Sequence, residues 1–296
     1  FNKSATGDPY DASAEFTGTF ETLYIQDKYY VSDILTVNYG LRYDSFEMAN
    51  GPEYNEYGSG LLGFRNDTPA STSIVQPRFG FQLDATNLDM FSSDKIVAAE
   101  IRGGYGLFAG RVPNVWLASP FANSGIAQYG ERTGTRAGNL KVCETGAERT
   151  CFKAPETIYQ DFPYAEFAST SSAQAIDPNY NTPSTWKLNL ELLLTTANGY
   201  DLKLAYNRDE AKDGVGFSDA SASVEQVGKT GVVTYDSEGA YYITNGPGAS
   251  SDSITLSLDK EFDNGVSVFA SYTGLDAENA WNGTSSQLSS NLEYNP

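Results

Sequence analysis

Apolar and polar residues alternate with period two over eight short stretches of this chain. The clearest runs from Leu35 to Asp44 (LTVNYGLRYD), with Leu35, Val37, Tyr39, Leu41 and Tyr43 on one face and Thr36, Asn38, Gly40, Arg42 and Asp44 on the other. Such alternation belongs to a strand whose two faces meet different surroundings. Val75 to Asp84 sets Val75, Phe79, Phe81 and Leu83 against Gln76, Arg78, Gly80 and Gln82, and Val97 to Phe108 sets Ile101, Tyr105 and Leu107 against Glu100, Arg102, Gly104 and Gly106. Thr185 to Leu194 sets Trp186, Leu188, Leu190 and Leu192 against Lys187, Asn189 and Glu191. Tyr200 to Asn207, Ser253 to Lys260 (with Leu256) and Val266 to Thr273 (with Val268) repeat the pattern. Phe20 to Tyr30 is less regular, because Asp27 shares parity with Leu23 and Ile25. Pro77 cannot donate to a ladder, so a bulge or the unpaired upper end of a strand is expected there.

The connections alternate as well. Short ones at 31–33, 195–199 and 261–265, and a longer one at 85–95, are interleaved with polar stretches at about 47–73, 109–184, 208–252 and 274–296. Short periplasmic turns alternating with long extracellular loops are the rhythm of outer-membrane barrels. A structureless stretch as long as 109–184 would count against most compact domains. The expected fold is all-β: an antiparallel transmembrane β-barrel segment of about eight strands, with residues 1–296 forming part of one barrel domain. On this reading Leu35, Val37, Leu41, Phe79, Phe81, Leu188, Leu190, Leu192, Leu256 and Val268 face lipid. Tyr or Trp should stand near both ends of that face. Arg42, Arg78, Glu100, Arg102, Lys187 and Glu191 line the lumen, where they would touch a plug or a passing solute.

Charge and composition narrow the chemistry. With 38 acidic and 19 basic residues the net charge is −19, which repels nucleic acid. There is no histidine, so the commonest general base and metal ligand is absent along with every His-based catalytic triad. No cofactor or metal is expected and the chain does not read as an enzyme. The motif Gly104-Tyr105-Gly106-Leu107-Phe108-Ala109 follows a strand and matches a dinucleotide fingerprint, with Glu131 near the distance expected of a ribose-binding acid. That fingerprint needs a helix to begin within the motif, and the residues from Arg111 onward show no helical period. The acids Asp209, Glu210, Asp213 and Asp219 lack the spacing of a known calcium loop. The two cysteines, Cys143 and Cys151, read as a local disulfide within the longest loop, contributing about 2–3 kcal/mol in the chain-entropy model. No apolar run approaches the length of a membrane helix, and a mean hydropathy of −0.39 is compatible with strands that are apolar at every second residue.

Four segments carry a family resemblance: FETLYIQDKYYVSDILTVNYGLRYD at Phe20 to Asp44, QPRFGF at Gln76 to Phe81, IRGGYGLFAGRVPNVWL at Ile101 to Leu117, and VFASYTGLDAENAWNGTSSQLSSN at Val268 to Asn291. Together they resemble the TonB-dependent outer-membrane receptors, and within them the Oar-like (OmpA-related) branch. The element Gly40 to Asp44 is common to many such barrels, and the Ile101 to Leu117 pattern is the more specific to the branch. The resemblance implies a roughly 22-stranded barrel with an N-terminal plug, driven by TonB and importing an unidentified extracellular ligand across the bacterial outer membrane. Its partners would be outer-membrane lipid, its own plug domain and TonB. The plug, the TonB box and the terminal strand are missing from the sequence, which is expected of a barrel fragment. Two alternatives stay open: a passive porin-type or adhesive barrel, and a soluble carbohydrate-binding β-sandwich.

Overall fold

The computed structural model describes residues 2–4, 14–111, 113–126, 128–130, 173–227, 233–246, 248–279 and 292. Glu131, Cys143 and Cys151 lie outside the described residues. In chain order the elements begin with β1 (Asn2–Ser4), β2 (Gly18–Tyr30), β3 (Leu35–Met48), α1 (Glu56–Leu62) and β4 (Ser71–Asp84). Next come β5 (Ile96–Ala109), α2 (Asn114–Ala122), β6 (Gln128–Gly130), β7 (Ala175–Ile176) and β8 (Ser184–Thr196). The chain continues through β9 (Tyr200–Asp219), β10 (Ser223–Val227), β11 (Val233–Asp236), β12 (Tyr241–Gly246), β13 (Ser250–Glu261) and β14 (Ser267–Glu278).

The eight alternating stretches become β2, β3, β4, β5, β8, β9, β13 and β14, joined in that order in one antiparallel sheet. The sheet is not closed: among the described residues β2 and β14 each pair on one side only. The strands run 12 to 20 residues, longer than the roughly 9–11 a bilayer requires. The alternation understates them because it ends where both faces turn polar, as at Arg208-Asp209-Glu210, while the hydrogen-bond ladder continues past it. Strand structure therefore enters the stretches 47–73, 109–184, 208–252 and 274–296 expected to be loop.

Those stretches also hold elements that the alternation does not announce. β12 pairs with the upper part of β9 and with β7, and β10 pairs with β11. α1 starts at the buried Asn55, whose side chain accepts a bond from the Gly58 N–H (2.9 Å) and donates to the Ser124 carbonyl (2.9 Å). It ends at Gly63, whose φ of 77° is the left-handed conformation that terminates helices at low cost in glycine. Together these segments form a folded cap over the ends of the strands opposite the short turns. Its core comprises Met48, Leu117, Phe121, Ile176, Phe217 and Ile243, contributed by five separate elements. Tyr180 is buried there with no hydrogen-bond partner for its hydroxyl among the described residues, and burial pushes its phenol well above the ordinary range.

Pro77 lies opposite Leu41 with no register shift in the β3–β4 ladder, so no bulge forms there. The β4–β5 ladder nevertheless stops at Arg78, one residue later. A side chain takes over where that ladder ends. Gln76, 1% exposed, accepts the Ala109 N–H on its amide oxygen (2.9 Å) and donates its amide N–H to Asp44. Gln76 is thus a splice between β4 and β5. Gln76→Leu keeps the bulk but strands the Ala109 N–H and removes one of the donors to Asp44, which keeps those of Arg42 and Thr22. It is expected to cost about 2 kcal/mol or more, read as a lower urea midpoint for unfolding of the intact protein, while a wild-type midpoint would remove Gln76 from this role.

Candidate functional site

Register decides which side chains share a face, since paired residues point the same way and their sequence neighbours point oppositely. The row Gln26–Gly40–Arg78–Gly106–Lys187–Asp209 crosses six strands, and the row Gln82–Arg102–Glu191 lies two rows away on the same side. Arg42 and Glu100 fall on that side too, so the six residues expected to line a lumen share one face. Toward the two edges the same face also carries exposed Tyr24, Tyr30, Phe269 and Leu275.

The charges on this face bind one another. Glu191 accepts from Arg102 at 2.6 Å and from Lys203 at 2.7 Å, bridging β5, β8 and β9. Glu100 reaches Arg102 only at 3.8 Å. Lys187 meets Asp209 at 2.7 Å, and Asn189 donates to Asn207 at 2.7 Å, just below. Arg42 donates to Asp44 (2.9 Å) and Thr22 (3.2 Å), which extends the Gln76 splice to β2. The pairs are half exposed and individually worth little, but they hold their side chains in fixed positions across neighbouring strands.

The opposite face is apolar and open. Leu41, Phe79, Leu190, Leu256 and Val268 are all exposed on it, with Leu190 at 45%. Leu35, Val37, Phe81, Leu188 and Leu192 share that face by register. Gly103 also falls on this face, where Phe81 and Leu190 close over it, each within 3.0 Å of where a Cβ would stand. Tyr105 and Trp186 stack here at 4.9 Å near the cap end, and Tyr29 stands near the turn end. Three features depart from a plain apolar wall. Toward the cap end Arg208 lies on this face, opposite Leu188, with Glu210 at 3.4 Å and Asp252 at 3.6 Å. Asp27 sits on this face, accepting the Tyr39 hydroxyl at 3.0 Å. The connection between β4 and β5 folds back so that Leu88 and Phe91 pack on Ala99, Ile101, Leu192 and Leu194, which partly covers Leu192.

No dinucleotide site forms at Gly104 to Ala109. Both glycines lie inside β5, and α2 begins only at Asn114, after the motif has ended. Among the described residues no group of acids, cysteines or histidines could hold a metal ion. Asp209 is ion-paired with Lys187, Glu210 lies 3.4 Å from Arg208, Asp213 lies 3.5 Å from Lys212, and Asp219 accepts from Ser221. Sequence reasoning missed the splice at Gln76 and the cap. It had the ion-pair members on the correct parity but could not pair them, because pairing depends on register across connections of unequal length.

Among curated proteins nothing matches the sequence. Of solved structures, the outer membrane transporter YddB from Escherichia coli is similar at 10% identity and a TM-score of 0.40, with 88% of this chain and 34% of that one covered. The RagAB peptide importer in its closed-closed state is similar at 11% identity and a TM-score of 0.36, with 90% and 31% covered. The chain thus spans about a third of the length of these structures. The family model of an outer membrane beta barrel domain matches residues 2–296. The chain belongs to this family of outer membrane beta barrel domains, and its place is the bacterial outer membrane.

Proposed function

We propose that the chain is barrel wall of a TonB-dependent outer-membrane receptor of the Oar-like branch, taking up a ligand through the lumen that its charged face lines. The observation that carries this reading is the division of one sheet into an ion-paired polar face and an exposed apolar face. An exposed apolar face of this extent suits hydrocarbon and not water. A soluble sandwich would cover it with a second sheet, and among the described residues only the 85–95 connection lies on it. The motifs from Phe20 to Asp44 and from Ile101 to Leu117 favour the TonB-dependent family over a passive porin.

Two measurements test this. The first concerns the faces. Leu190→Arg would put a cation into hydrocarbon and is expected to destabilise the intact barrel by about 2–4 kcal/mol near the bilayer midplane. Asn189→Arg, on the opposite face, should leave assembly nearly unchanged. Outer-membrane yield and heat resistance of the folded band read both; equal tolerance would mean a water-exposed sheet, and the reverse order would mean the faces are exchanged. The second concerns energy. Removing TonB, or collapsing the proton gradient, should abolish uptake by cells carrying the full-length protein and leave its amount in the outer membrane unchanged. Uptake that persists without TonB would assign the chain to the passive class.

A further inference from the structure

On the polar face, Gly80 and Gly104 stand opposite each other in β4 and β5 and leave a patch of bare backbone. A Cβ at Gly80 would meet only the Gly103 carbonyl oxygen (3.4 Å), and one at Gly104 only backbone atoms of Phe79 and Gly80. Among the described residues no side chain comes within 4 Å of a Cβ at these two positions, and packing among them does not require Gly80 to be glycine. Around this floor the register places Asn38, Arg78, Gln82, Arg102, Lys187 and Asn189. They border a concavity of about 660 Å³. Three of the six are cations, in a chain whose net charge is −19, and the one acid that also lines the concavity, Asp209, is paired with Lys187. Lys187 and Arg102 are held by Asp209 and Glu191 on the side away from the floor.

Arg78 is different. Its guanidinium donates to the Gln76 amide oxygen (3.2 Å) and lies over the Phe108 ring (4.4 Å), and it has no acidic partner among the described residues. Gly40 and Gly106 flank it in its row, and Lys187 follows Gly106, roughly 10 Å from Arg78 at the spacing of two strands. An unmatched guanidinium, a second cation across a glycine and amide donors below form a donor set for an oxyanion. The bare floor lets a flat group approach the backbone.

We propose that this patch is an oxyanion-binding subsite, taking a carboxylate or phosphate between Arg78 and Lys187 above the Gly80–Gly104 floor. It rests on the reading of this face as luminal. The oxyanion belongs either to an incoming solute or to an acidic segment of the full-length protein lying in the lumen, and the test separates the two.

Gly80→Cys in full-length protein with every other cysteine, Cys143 and Cys151 among them, replaced by Ser carries a single thiol, on the floor. Its reaction with negatively and positively charged methanethiosulfonates is compared, each rate normalised to that of a small free thiol. If the floor is open to solute, the anionic reagent is expected to be favoured about tenfold. That preference should disappear with Arg78→Ala and Lys187→Ala, and millimolar inorganic phosphate should slow the labelling. If an internal acidic segment occupies the floor, the thiol is refused in the folded protein and becomes reactive when Arg78→Glu and Lys187→Glu expel the segment. Equal normalised rates that ignore Arg78, or refusal in both backgrounds, would overturn the subsite while leaving the luminal face intact. Labelling only by a membrane-soluble maleimide would overturn the subsite and the luminal reading together.

Discussion

A slip of one residue in any ladder of this sheet would exchange its faces, because side chains alternate with period two and register alone decides which side each takes. The whole arrangement hangs on that register. It is kept from β2 to β14 across seven antiparallel ladders, with irregularities between Ile96 and Ala98 in β5 and between Ser184 and Thr185 in β8. Both lie at strand ends, outside the central rows where Arg102 meets Glu191 and Lys187 meets Asp209. The ion pairs reinforce the register as well as depending on it. After a one-residue slip, Glu191 would face away from Arg102, and an apolar side chain would take its place.

The two faces divide the physical tasks. On the proposed orientation the apolar face needs no specific partner, because hydrocarbon accepts any smooth apolar surface; Phe81 and Leu190 closing over Gly103 keep it filled. The polar face has to satisfy its own charges wherever solvent is restricted, and it does so with pairs that bridge adjacent strands. At the cap end the Asp44–Gln76–Ala109 connection carries this principle into the backbone, where a side-chain amide accepts the N–H of Ala109 beyond the last rung of the β4–β5 ladder. The cap then buries its own small core at the end of the wall opposite the short turns.

Much of this was legible in the sequence, and the boundary of legibility is physical. LTVNYGLRYD announces a two-faced strand because neighbours in sequence suffice to define both faces. The cap was invisible, since Met48, Leu117, Ile176 and Ile243 come from distant segments too short for any period to register. α1 has a capping Asn55 and a stopping Gly63, yet seven residues containing two glycines show no apolar stripe. Arg102 and Glu191 could be assigned a face but not a bond, because 88 residues lie between them and only the folded register brings them together. Leu192 was assigned to lipid from parity alone; parity cannot reveal that the 85–95 connection folds back onto that face and brings Phe91 to it.

The assignment of faces is tested most directly by a nitroxide scan of the intact, membrane-embedded protein from Lys187 to Leu194. Collision with oxygen, which concentrates in hydrocarbon, should peak at Leu188 and Leu190 and fall at Lys187, Asn189 and Glu191. It should be damped at Leu192 and Leu194, where Phe91 packs. Collision with a water-soluble nickel chelate should follow the opposite phase. The same phase for both probes, or the chelate peaking at Leu188 and Leu190, would contradict the account.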